Sequence, residues 1–547
     1  MDKKAILAVV LSMVIWIGWQ KYYLEPIQAH NAAAQKAEQE SQAAAKKRDE
    51  FKADLDAKGI ISPGEKKEIA SRARLFQNLE NDSTNVLVTN SAYGVEGWQL
   101  KGFSPTLEKK DVKIGLEGAT GFANQLGLRF KDENLNAELA RGWDSLERAG
   151  DRSVVAKLNG QNVSAEKIFT LDEKGFGATL VYKLKFAQAV PPFVFVDFFG
   201  SPKRETDTEG SIFGQAPDKV HVTFRDREGR HAEIAANHKE SKESLAGVKW
   251  MGLDTRYFVL AAVPGEGSAE AGAQVAQDNT RGVPAVRGSL VFPTEGAKEV
   301  TISTRVFFGP KEMDALRAVA PILSDTIDFG WTSFLAVYLL AALKWLYSFV
   351  HNYGVAIILL TFAIKMALLP LTYKSMKSMS KIAKLQPQLN ALREKYKDNK
   401  EKLNTEMMTF MKTNGYNPVG GCLPILIQMP IFFALYRVLF NSMELYQAPF
   451  AAWIHDLSSP DPFFITPVLL CGLMYLQQKL SPTTATDPTQ QKMMQVMPVI
   501  FGVFMIMLPA GLNIYMVVNS ATSILQQLYL NKKLGIGRYA PKDPIVV

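Results

Sequence analysis

The chain has 547 residues, with 62 Lys and Arg against 54 Asp and Glu and a formal net charge of +8. Two cysteines exclude a disulfide-stapled scaffold, and six histidines without ligand spacing exclude a histidine-built metal centre. Mean hydropathy is near zero, but that average conceals a polar stretch over 25–325 and long apolar runs over 326–531.

Asp2-Lys3-Lys4 precede an apolar run from Ala5 to Trp19. No small-residue cleavage site follows directly, and Trp16, Trp19, Tyr22 and Tyr23 form an aromatic belt, so residues 1–24 read as an anchor. Residues 25–58 are rich in Ala, Gln, Lys and Glu without an apolar stripe and read as a tether. Over 59–325 the period becomes two. Leu180, Tyr182, Leu184 and Phe186 alternate with Lys183 and Lys185; Val220, Val222 and Phe224 repeat the pattern, as do Val300, Ile302 and Val306. Strands of this kind predict one β-sandwich, held by an ordinary core because Cys422 and Cys471 both fall in later apolar segments. No Ser-His-Asp arrangement or phosphate loop marks it, and a binding module and a plain spacer both stand.

Pro310 is expected to start a helix over Lys311 to Leu323. The apolar run Trp331 to Leu343 meets Lys344 after thirteen residues, and counting it as a span would invert every later loop. Residues 326–350 therefore read as an interfacial helix anchored by Trp331, Tyr338, Trp345 and Tyr347. The core, 351–531, holds predicted spans at 353–372, 419–440, 463–480, 494–509 and 512–530, the last two joined by the turn Leu508-Pro509-Ala510-Gly511. Between Lys374 and Lys412 lie ten Lys or Arg and four acids; the loop Ser442 to Pro462 has neither Lys nor Arg. The tail over 532–547 adds Lys532, Lys533, Arg538 and Lys542. Basic loops face the cytoplasm, which places both termini there and 59–325 on the outer side. The expected fold class is a polytopic α-helical membrane protein of six spans, with a five-helix C-terminal core and an inserted all-β sandwich periplasmic domain.

Within the cytoplasmic segment 374–416, Lys374, Lys377, Lys381 and Lys384 repeat at helical spacing and form a basic stripe. Ile382, Leu385, Leu389 and Leu392, then Leu403, Met407 and Phe410, predict two short antiparallel helices with apolar faces together. The stripe suits three partners: none beyond the charge rule, anionic lipid headgroups, or a ribosome or targeting factor.

Lys365 sits inside the first core span, nine residues before Lys374, or about 13 Å along a helix, farther than a lysine stem reaches unaided. A charge at that depth costs roughly 2.5–3.5 kcal/mol on insertion scales, which favours a polar cavity. Thr361 one turn away, Gln428 in the second core span, and Tyr515 with Asn519 in the last are candidates to line it; ordinary helix–helix hydrogen bonding is the alternative. Met429-Pro430 with Phe432, and Phe504 with Met505, offer a greasy surface or simple packing. No Asp or Glu lies deep in a span, Gly is never followed by Lys, and no inverted repeat is evident. Carrier and nucleotide-driven pump chemistries recede, although an anion or small-solute carrier using Lys365 remains the second reading.

Asn417-Pro418, Gly420-Gly421-Cys422, Pro424 and Gln428-Met429-Pro430-Ile431-Phe432 resemble a core span of the YidC membrane protein insertases. So do Trp453-Ile454-His455-Asp456-Leu457, Ser481-Pro482-Thr483, Asp487-Pro488, Met497-Pro498 and Pro509-Ala510-Gly511-Leu512, in order from about 325 to 531. An anchor followed by an exported β-rich domain resembles the Gram-negative branch. The resemblance implies an insertase and chaperone for nascent inner-membrane proteins, working alone or with the Sec translocon, with no cofactor, nucleotide or catalytic residue. It implies a hydrophilic groove holding Lys365, where that branch carries Arg; Lys keeps the charge and loses the bidentate fork. It assigns Thr361, Gln428 and Tyr515 to the groove, Met429, Pro430 and Phe504 to an apolar slide, the basic hairpin to early substrate capture and the tail to ribosome contact.

Overall fold

A computed structural model describes residues 74–534 apart from several internal stretches, the longest being 201–219. The expected anchor, the tether and most of the basic tail lie outside the described residues.

Two nine-stranded sheets build the first part. One runs from Phe76–Glu80 to Glu243–Ser244, the other from His231–Ala235 to Ser145–Gly150. Pairing among the described strands is antiparallel throughout. The alternating sequence dictates which face turns inward: Leu180, Tyr182, Leu184 and Phe186 of Gly177–Phe186 are buried, while Lys183 and Lys185 are exposed. Val222, Phe224, Ile302 and Val306 join them in one core shared by both sheets, each such side chain contributing about 1.5–3 kcal/mol.

One inward position breaks the pattern. Lys167 lies on the buried face of Val163–Leu171, paired across the ladder with Tyr182 and with its ammonium 5.9 Å from that ring's centroid. The Tyr182 hydroxyl donates to the Leu126 carbonyl. Leu126 has a φ of 66°, in a stretch of Phe122–Arg129 that carries extra residues against Asp197 and Phe199, so a bulge frees the carbonyl that Tyr182 then satisfies. Burial pushes the Lys167 ammonium down to about 7. The unfolded chain therefore holds a proton that the folded chain lacks between about pH 7 and 10. Stability is expected to rise with pH through that window and to be flat below it. Lys167→Met should remove the slope and raise stability at pH 6 by an amount on the order of 4 kcal/mol, checked by denaturation across pH.

Helix α1 (Glu133–Ala140) is capped by the Asp132 carboxylate, which accepts from the Asn134 and Leu135 amides. The helix expected over Lys311 to Leu323 is shorter: α2 spans Met313–Val319, and Ala320 is extended. Pro321 drives the residue before it out of the helical region, and a 3₁₀ turn, Pro321–Thr326, follows.

Six further helices surround a second apolar core, with a seventh returning from the end of α4. Helix α3 (Ser333–Val350) runs unbroken through Lys344. It buries Ala336, Leu339, Leu340 and Leu343 and exposes Trp331 just before it, Phe334, Tyr338, Trp345 and Phe349. The stretches Gly330–Val350 and Tyr353–Lys377 are both long and apolar enough to cross a membrane by length and composition. Helix α4 (Tyr353–Lys395) corrects the expected pair of short helices. It continues from the apolar segment into the basic arm as one rod of 43 residues, about 64 Å long. Lys, Met, Ala, Leu and Gln dominate the junction and hold the helix through Pro370 and Pro387. Helix α5 (Lys400–Thr413) then returns. Helices α6 (Pro418–Asn441), α7 (Ile465–Leu480), α8 (Pro488–Met505) and α9 (Ala510–Leu534) complete the set. At 16 residues α7 is only about 24 Å long, short against a bilayer core of about 30 Å.

The two cores meet at the end of α6. Its last carbonyls have no donor within the helix, and Arg256 of the sandwich supplies one. Nε and Nη2 donate to the Phe440 carbonyl at 2.8 and 2.6 Å, with the guanidinium 3.8 Å from the Phe440 ring centroid. Just beyond, the Tyr446 hydroxyl and Gln447 Nε2 donate to the Ser104 carbonyl at 2.8 and 2.7 Å, and Met443 enters the sandwich core. Lys344 joins Asp314 at 2.9 Å and Glu444 at 3.6 Å, and burial raises the Glu444 carboxyl above its ordinary range. Arg256→Ala is expected to cost about 1.5–3 kcal/mol, lowering the unfolding temperature in detergent by several degrees. Arg256→Lys, which keeps the charge without the fork, should fall between.

Candidate functional site

The charged residue of α4 is turned inward. Lys365 is 8% exposed, and its ammonium donates to Ser523 Oγ of α9 at 2.7 Å. Ser523 Oγ in turn donates to the Asn519 carbonyl at 2.7 Å, and Gln526 Nε2 donates to the Lys365 carbonyl at 3.3 Å. On the far side Gln428 Nε2 of α6 donates to Asn519 Oδ1 at 3.1 Å. Residues 519, 523 and 526 are four and three apart, so they share one face of α9. A single polar chain thus ties α4, α6 and α9 together within the bundle.

Three residues expected at the site, Lys365, Gln428 and Asn519, are brought together by this chain. Thr361 is nearly inaccessible and donates to the Ile357 carbonyl of its own helix at 2.7 Å. Tyr515 is buried in the helical core, with its ring stacked 6.4 Å from that of Phe432. Ser523 and Gln526 escaped the sequence reading. Their signal was the continuation of the 515 and 519 spacing by four and then three, but Ser and Gln are common in membrane helices and nothing in the sequence singles them out.

The apolar candidates separate. Phe504 is 56% exposed and Met429 is also exposed, while Pro430 and Phe432 are partly covered. Met505 is corrected from a surface position to core packing: it is 1% exposed. Adjacent residues on a helix point about 100° apart, so a helix that turns Phe504 outward turns Met505 inward. The outward face of α8 also carries Val496, Val499, Ile500 and Val503.

Lys374 and Lys377 are exposed on the continuation of α4. Lys381 and Lys384 lie on the same helix, with side chains outside the described residues. Lys533 near the end of α9 has its ammonium 5.2 Å from the Tyr373 ring centroid.

The class is that of a protein with a large antiparallel sandwich fused to an apolar helical bundle that buries Lys365, two of whose helices are long and apolar enough to cross a membrane. Residues 345–536 match the family model of the 60Kd inner membrane protein, and residues 79–342 match the YidC periplasmic domain. The membrane protein insertase YidC of Geobacter metallireducens is 32% identical, over 98% of this chain and 99% of the relative. That of Methylobacillus flagellatus is 37% identical over 74% and 72%. A crystal structure of an active YidC insertase with its first transmembrane domain resolved covers 83% of this chain and 92% of its own, at 18% identity and a TM-score of 0.34. The chain belongs to the YidC family of membrane protein insertases. It is an insertase of the inner membrane and not an enzyme.

Proposed function

We propose that insertion proceeds through a groove between α4, α6 and α9 in which Lys365 is the single fixed cation. The carrying observation is Lys365, a residue 8% exposed whose ammonium is bonded to Ser523 within the bundle. A nascent membrane protein must move a polar tail across hydrocarbon, where each unsatisfied backbone group costs several kcal/mol. A polar half-channel shortens the dry distance, and a partly desolvated cation attracts acidic tail residues more strongly than water would allow. Gln428 and Asn519 line this path, Thr361 and Tyr515 shape its wall, and Met429, Pro430, Phe432 and Phe504 form the slide from which the apolar segment passes into lipid.

The topology that suits this has six spans, counting the anchor at 1–24, with both termini cytoplasmic and residues 59–325 periplasmic. In it α3 lies at the outer interface, since a seventh crossing between the sandwich and α4 would put the arm bearing Lys374 and Lys377 outside. The stripe Lys374, Lys377, Lys381 and Lys384 receives substrates, and the ribosome, targeting factors, anionic lipid and the Sec translocon are the partners of the surrounding surfaces.

Photo-crosslinking tests the path. A probe at Gln428 or Met429 is expected to trap a stalled nascent span, whereas one at Val468, exposed on α7, is not. Equal trapping from all three positions would remove the groove.

A further inference from the structure

We infer that Ser523 is a positioning residue for Lys365, and that this hydroxyl sets the preference for acidic tails. The inference rests on the groove reading and deepens it. A lysine stem has four rotatable bonds, and an ammonium without a partner at this depth would swing toward the nearest water. Ser523 Oγ accepts the ammonium's hydrogen bond at 2.7 Å and donates its own to the Asn519 carbonyl at 2.7 Å, so its lone pairs are turned toward Lys365. Gln526 grips the backbone of the same residue through its carbonyl at 3.3 Å, and Gln428 fixes Asn519 from the opposite helix.

The cation is therefore held from two turns of α9 at one point of the groove. A neutral hydroxyl stabilises an ammonium without cancelling its charge, unlike a carboxylate, and among the described residues no Asp or Glu is paired with Lys365. The held charge remains available to an incoming carboxylate. Hydrogen bonds to charged groups are the stronger kind, so the hydroxyl is worth enough to govern where the ammonium sits.

The test compares wild type, Ser523→Ala, Ser523→Thr and Lys365→Ala reconstituted in liposomes. Two single-span substrates are used, identical except for an acidic or a neutral tail, with insertion read by protease protection and unfolding temperature recorded for each variant. Ser523→Ala is expected to lower acidic-tail insertion at least threefold, toward the Lys365→Ala level, and to leave neutral-tail insertion unchanged. Ser523→Thr, which keeps the hydroxyl, should restore it. If Ser523→Ala matches wild type on the acidic tail while Lys365→Ala is impaired, the groove reading stands and the role of Ser523 is overturned. An equal fall on both tails would make Ser523 a packing residue and also overturn it. If Lys365→Ala itself inserts both tails normally, the groove reading and this inference fall together.

Discussion

Lys365→Ala is expected to reduce insertion of an acidic-tailed substrate by tenfold or more, while Lys365→Arg remains close to wild type. Two opposite charges 4 Å apart attract by about 4 kcal/mol at an effective dielectric constant of 20, and by about 1 kcal/mol in water. Lys365 is 8% exposed, so the lower dielectric applies, and even a third of that attraction corresponds to a tenfold change. Arg keeps the charge and adds a bidentate fork, so its main risk is bulk against α9. The measurement is the initial insertion rate in liposomes at equal protein content.

The second large effect concerns stability. Asp461→Ala is expected to lower the stability of the helical part by at least about 3 kcal/mol, with Asp461→Asn intermediate. Asp461 is 1% exposed and gathers the loop between α6 and α7. Its carboxylate accepts from Trp453 Nε1 and the Phe463 amide at 3.0 Å, and from the Thr466 amide and hydroxyl at 2.7 Å. Truncation leaves several buried donors unpaired at once and removes the carboxylate that holds the first turn of α7. Asp456 organises the preceding turn in the same way, accepting from the Gln447 and Ser458 amides and from the Ser458 and Ser459 hydroxyls. Thermal unfolding in detergent, together with protease sensitivity of the loop, reads the difference.

The parts of the structure visible in the sequence are those written as a period. Alternation gave the inward face from Leu180 to Phe186 and from Ile302 to Val306, because successive side chains of a strand point to opposite faces; it fails from Val306 to Pro310, where both faces are buried. The apolar run around Lys365 marked α4 for the same kind of reason, and the depth of the charge marked the site. Continuity was harder. The arm after Lys374 looked like a separate helix because its hydropathy changes there, yet the helix formers around Pro387 outweigh that breaker, and α4 runs on. The break at Pro321 was available from the restriction on the residue before proline.

Contacts between helices were not legible. A sequence shows that Gln428 and Asn519 are polar, but not that one hydrogen-bonds the other, nor that Ser523 rather than Thr361 takes the Lys365 ammonium. Met505 and Phe504 are equally apolar as letters, and only the rotation of α8 against its neighbours separates core from surface. Nothing in the sequence singles out Arg256, whose place under the end of α6 depends on how two distant parts of the chain dock.

The most direct measurement is the ratio of acidic-tail to neutral-tail insertion as tail charge is varied in steps, for wild type and Lys365→Ala in the same liposomes, with empty liposomes as reference. The expected result is a wild-type rate that rises with each added acid and a variant rate that does not, both above empty liposomes. Parallel rises in the two proteins would contradict a fixed cation in the groove as the basis of substrate selection.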